Sequence, residues 1–132
     1  MRRLSEEFYP GLLCAIIIMV LLGLPGSCFP TVVDFWDWLG PDKIIHFILF
    51  GSLEFLSLWG YRKKISSGNN YKRKVYPLTF FLSMIYGGLT EILQKYIFIN
   101  RYGSIYDFFA DAIGCVIGVI IFNFYAKKKL KK

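Results

Sequence analysis

Four apolar runs, at residues 8–24, 42–61, 75–94 and 105–125, constrain this chain of 132 residues more than any other feature. Crossing the hydrocarbon core of a bilayer as a helix takes roughly 17–25 residues, and the first run sits at the short end of that range. A hydrophobic share of 55% and a mean hydropathy of +0.47 are too high for a water-soluble domain of this size. The expected fold is an all-α membrane protein: a four-helix transmembrane bundle in a single domain over residues 1–132.

The net charge of +7 suggests either a nucleic acid or a membrane surface as partner, and the placement of the charges decides between them. Of the 16 lysines and arginines, two precede the first run, six lie between the second and third, and five follow the fourth. Only Lys43, Lys95 and Arg101 fall on the other side. Such lopsidedness is a topology signal, with positive charge marking the cytoplasmic face. Both termini are expected inside the cell, in a multi-pass plasma-membrane protein whose partner is the bilayer, with no nucleic acid.

The connections are short. A basic start, an apolar middle and Cys28 have the outline of a cleaved leader, but Pro25 stands where such lipoprotein sites want leucine; a retained first helix is expected. Residues 29–41 hold Trp36 and Trp38 between two prolines and read as an interfacial loop. Residues 62–74 read as a basic loop with a flexible centre at 66–70. Cys14, Cys28 and Cys115 show no CxxC or Cys/His spacing and are expected to be free thiols.

Polar side chains inside the apolar runs are the second constraint. With the topology above, Asp42, Lys43 and His46 open the second helix at the outer side. Glu91 and Gln94 close the third there, and Ser104, Asp107 and Asp111 open the fourth. A charged residue near the centre of a span costs roughly 2.5–3.5 kcal/mol, so Glu54, Glu91, Asp107 and Asp111 together approach about 10 kcal/mol if all are deep and ionised. Such density marks a functional site by default. Asp107, Asp111, Gly114 and Gly118 share one helix face, as do Ser83, Gly87, Glu91 and Gln94, and Asp42, His46 and Phe50. Each face is polar outward and small inward, which describes a bundle closed below and open above.

Every one of these residues also has a structural reading. Asp42 serves as a helix N-cap, Lys43 as an interfacial anchor, His46 as a packed histidine, and Asp107 as a cap bonded to Ser104. Arg101 serves as a neutralising loop residue. Glu91 and Asp111 are the hardest to explain that way. Glu54 is deeper and drifts off the main face; pairing across the bundle and staying protonated both fit it, and it receives no firm role.

Several motifs, in order, resemble the VanZ-like family. Asp42, Lys43, His46 and Phe47 form D-K-x-x-H-F; Tyr86, Gly87, Glu91 and Gln94 form Y-G-x-x-x-E-x-x-Q; Arg101, Ser104 and Asp107 form R-x-x-S-x-x-D. Asp111, where many members have Asn, is followed by Gly114 and Gly118. The resemblance spans roughly residues 12–122. It implies a small polytopic membrane protein. The family's namesake is associated with low-level teicoplanin resistance in Gram-positive bacteria; the resemblance supplies no biochemical mechanism.

Three functions compete. In the first, Asp42, Lys43, His46, Glu91, Gln94, Arg101, Ser104, Asp107 and Asp111 bind or modify a cell-envelope component, such as a lipid-linked cell-wall precursor or a glycopeptide. Lys43 and Arg101 would hold phosphate or carboxylate. In the second, an intramembrane hydrolase or transferase uses His46, Glu91 and Asp107 as catalytic candidates, with His46 as general base. A divalent metal on His46, Glu91, Asp107 and Asp111 is a variant of this reading. The third is a transporter or proton relay, which needs oligomerisation. No HExxH or GxSxG motif is present, and the sequence by itself names no cofactor and no metal.

Overall fold

The computed structural model describes residues 4–24, 41–97 and 105–129. Within them the chain is helical, with five helices and no strand. These are α1 (Leu4–Gly23), α2 (Pro41–Gly60), α3 (Arg62–Ser67), α4 (Asn69–Tyr96) and α5 (Ile105–Lys129). Trp36, Trp38, Cys28, Arg101 and Ser104 lie outside the described residues, as does the side chain of Asp42.

Two boundaries differ from expectation. α2 begins at Pro41, one residue before Asp42, whose side chain lies outside the described residues. Proline at the first helical position explains this: its fixed φ suits the helix, and the N–H it lacks would have had no partner there. The basic stretch 62–74 is not a loop. It forms α3 and the start of α4, broken only at Gly68, whose φ and ψ of 176° and 150° are extended. Lysine and arginine are good helix formers. The Ser66 and Ser67 hydroxyls donate to the carbonyls of Lys63 and Lys64 (2.9 and 2.7 Å), closing the end of α3. Ile65 is buried among Tyr61, Val75 and Phe122 and anchors the turn.

α2 is the hub, packing on α5 above all and also on α1, α3 and α4. The α2–α5 contact is backbone on backbone. A Cβ on Gly114 would overlap the Phe47 carbonyl, one on Gly118 would crowd the Gly51 carbonyl, and one on Gly51 would lie 3.1 Å from the Gly114 carbonyl. Small residues one turn apart allow this approach. Facing numbers rise together, 47 with 114 and 51 with 118, so α2 and α5 run parallel. α4 runs antiparallel to α2, with Gly87 against Phe50 and Ser83 against Glu54.

All four longer helices turn apolar side chains outward. Leu12, Ile16 and Val20 do so on α1, Ile44 and Ile48 on α2, Phe81, Ile85 and Leu89 on α4, and Ile113, Ile120 and Phe124 on α5. Of the four expected spans, Lys43–Gly60 and Ile105–Lys129 are long and apolar enough to cross a membrane. The apolar part of α1, Glu7–Gly23, is shorter. In α4, Pro77, the tyrosines and Glu91 dilute the hydropathy.

Candidate functional site

The parallel α2–α5 contact places the first turns of both helices side by side, and the antiparallel α4 brings its last turns to the same end. His46, two turns into α2, is 1% exposed, and its Nδ1 lies 2.8 Å from Asp111 Oδ1 on α5. With Asp111 ionised, its oxygen accepts and Nδ1 donates. The same nitrogen is 3.5 Å from Glu91 Oε1 on α4. The imidazole stacks on Phe50, one turn further along α2, with ring centroids 6.3 Å apart and 5° between planes.

Asp111 is fully buried, and its Oδ2 has no hydrogen-bond partner among the described residues. Gly87 leaves the space for it: a Cβ there would stand 3.0 Å from that oxygen. Asp107, one turn before Asp111, is buried and lies 3.8 Å from Lys43 Nζ, whose side chain is 31% exposed at the rim. Glu91 and Asp107 are both engaged by further groups. One donor atom from each of His46, Glu91 and Asp107 falls within 4.8 Å of the others.

Of the residues singled out in the sequence, Lys43, His46, Glu91, Asp107 and Asp111 therefore come together. Gln94 does not join them: its amide Nε2 donates to the Leu22 carbonyl at 3.3 Å and ties α4 to α1. Arg101, Ser104 and the Asp42 side chain fall outside the described residues.

Glu54, left without a firm role by the sequence, pairs across the bundle. It is fully buried two turns below His46 and accepts from Thr79 (2.7 Å) and Ser83 (2.8 Å). Its partners follow only once the antiparallel register of α2 and α4 is known. Once His46 faces Glu91, Phe50 falls opposite Gly87 and Glu54 opposite Ser83.

On the outer flank of the cluster, Lys43, Ile44, Phe47, Tyr106, Phe109 and Ile113 line a groove of ≈ 880 Å³ between α2 and α5. It is apolar along its length, with Lys43 as its charged end.

Fold and site together define a helical protein, rich in outward apolar surface, that buries a histidine among three carboxylates at one end of its bundle. A family model described as VanZ/LLP1 matches residues 29–126, and the chain belongs to that family. Among curated proteins, an uncharacterized protein of Schizosaccharomyces pombe is 25% identical over 92 residues, covering 69% of this chain and 52% of the relative. The chain thus spans about half the length of that relative. No solved structure matches significantly. Family and apolar helices together indicate a membrane protein.

Proposed function

We propose that this protein crosses the plasma membrane four times, with both termini in the cytoplasm, and binds the anionic headgroup of a cell-envelope lipid in the outer half of the bilayer. The convergence of His46, Glu91, Asp107 and Asp111, with Lys43 at the rim, carries this reading. Ionisable groups at membrane depth are costly and are placed where they meet a ligand or one another. The outward apolar faces of α1 and α4 support counting them as spans, since in water those faces would be exposed.

The groove beside Lys43 suits an acyl chain, and the ammonium suits a phosphate or carboxylate at its end. A lipid-linked cell-wall precursor has both parts. The VanZ-like resemblance adds the organism-level expectation of altered teicoplanin susceptibility in a Gram-positive host. The test is native mass spectrometry of the protein extracted with its lipids. A phosphate-bearing lipid should copurify with the wild type and be lost from Lys43→Ala. Equal lipid content in both would sink the reading.

A second reading has one observation in its favour. His46 bonded through Nδ1 to Asp111 is the arrangement of a general base held by a carboxylate. An enzyme would turn over a lipid-linked precursor in purified form, and His46→Asn would abolish that turnover.

A further inference from the structure

We propose that His46, Glu91 and Asp107 bind one divalent transition cation, of the Zn²⁺ or Mn²⁺ type, with Asp111 fixing the imidazole. This deepens the headgroup reading and rests on it: the cation would bridge an anionic headgroup oxygen to the buried cluster.

Three observations meet at this point. The first is donor geometry. One ring nitrogen and two carboxylate oxygens, drawn from α2, α4 and α5, lie within 4.8 Å of one another. Donors around a bound zinc or manganese ion, at bonds of about 2.0–2.2 Å, stand roughly 3–4 Å apart. A contraction of about 1 Å, within the reach of side-chain rotation, completes the shell. The second is the Asp111 contact. Histidines that bind metal characteristically give their other ring N–H to a carboxylate, which sets the tautomer and the ring plane. With Nδ1 given to Asp111 Oδ1 at 2.8 Å, the proposal assigns the cation to Nε2, and Glu91 Oε1, 3.5 Å from Nδ1, turns to meet it. The third is independent of both. Asp111 Oδ2 is buried without a hydrogen-bond partner among the described residues. An uncompensated carboxylate oxygen in such a site is expensive, and a neighbouring cation offsets it.

The donor set selects the ion. Imidazole with two carboxylates suits zinc, manganese or ferrous iron, whereas calcium and magnesium prefer all-oxygen shells. Three protein donors leave coordination positions open, as in sites that hold a ligand on the metal. Lys43 Nζ lies 3.8 Å from Asp107 Oδ1 at the rim of the cluster.

The test uses the full chain in detergent, stripped with chelator and titrated with ZnCl₂, MnCl₂, CaCl₂ or MgCl₂. Metal content is read by elemental analysis and unfolding by scanning fluorimetry. The wild type should take up about one Zn²⁺ or Mn²⁺ per chain and unfold at higher temperature. Glu91→Gln and His46→Asn should lose that uptake, and Asp111→Asn should weaken it by roughly 10–100-fold. Glu54→Gln, a buried carboxylate position outside the cluster, should match the wild type and so controls for general loss of fold. No saturable uptake by the wild type overturns the inference, as does uptake of Ca²⁺ alone, or equal loss in Glu54→Gln. Lipid copurification is measured in parallel. Lipid retained without metal uptake overturns the cation and leaves the headgroup reading standing; metal uptake without any lipid does the reverse.

Discussion

His46 and Asp111 are one unit, and substitutions at Asp111 divide that unit in a readable way. Asp111→Asn keeps an oxygen to accept from His46 Nδ1 and puts an amide beside Gly87. Asp111→Leu leaves the buried N–H without an acceptor, which costs about 1–3 kcal/mol. Thermal unfolding in detergent should therefore place the Leu variant well below the Asn variant. Equal midpoints would mean that the 2.8 Å contact contributes nothing to folding. At Glu54 the same logic favours Gln over Leu, because Gln still has an oxygen for the Thr79 or Ser83 hydroxyl. A Glu54→Leu chain that unfolds with the wild-type midpoint would refute that pairing.

At the level of helices, the α2–α5 contact is what sets the site. Gly114 and Gly118 lie one and two turns beyond Asp111, and their lack of side chains brings α5 onto the α2 backbone. Gly114→Ala must push the helices apart and should cost about 1–3 kcal/mol. Gly88→Ala, where the nearest atom, on the Phe108 ring, would be 3.8 Å from the new methyl, should be neutral or stabilising. Comparing the two unfolding midpoints tests whether close packing, and not helix propensity, governs this region. The same contact shows what was legible in the sequence. The polar faces of α2, α4 and α5 could be drawn from 3.6-residue periodicity, so Asp111, Glu91 and His46 were visible as candidates. Which of them would touch was not, because facing pairs depend on the register of distant segments, set for α2 and α5 by the Gly51, Gly114 and Gly118 contact. Gln94 illustrates the limit. It shares the Glu91 face closely enough to look like a site residue, yet a modest rotation turns it to α1 and Leu22. The helical stretch 62–74 was hidden for another reason. Gly68, Asn69 and Asn70 carry turn propensity, which shows only as the break at Gly68, while Ile65 on α3 is buried against Val75 on α4.

For the whole molecule, the testable matter is which end faces out. The basic end holds α3, the Lys64–Glu7 ion pair (2.8 Å) and the three lysines that finish α5, while the histidine cluster occupies the other. In cells carrying a chain with its native thiols replaced, Lys43→Cys should react with a membrane-impermeant maleimide. Ser66→Cys should react only after permeabilisation. The opposite pattern would invert the proposed topology. The parallel pairing of α2 with α5 also bears on how the protein is made. A nascent chain that has reached the end of α4 has already supplied Glu54 with Thr79 and Ser83. His46 at that moment still lacks Asp111, which follows α4 in the chain. A second helix made before α5 therefore carries a ring whose partner carboxylate comes later in the chain. α5 acts as the closing stave, and translation order sets when the site comes into being.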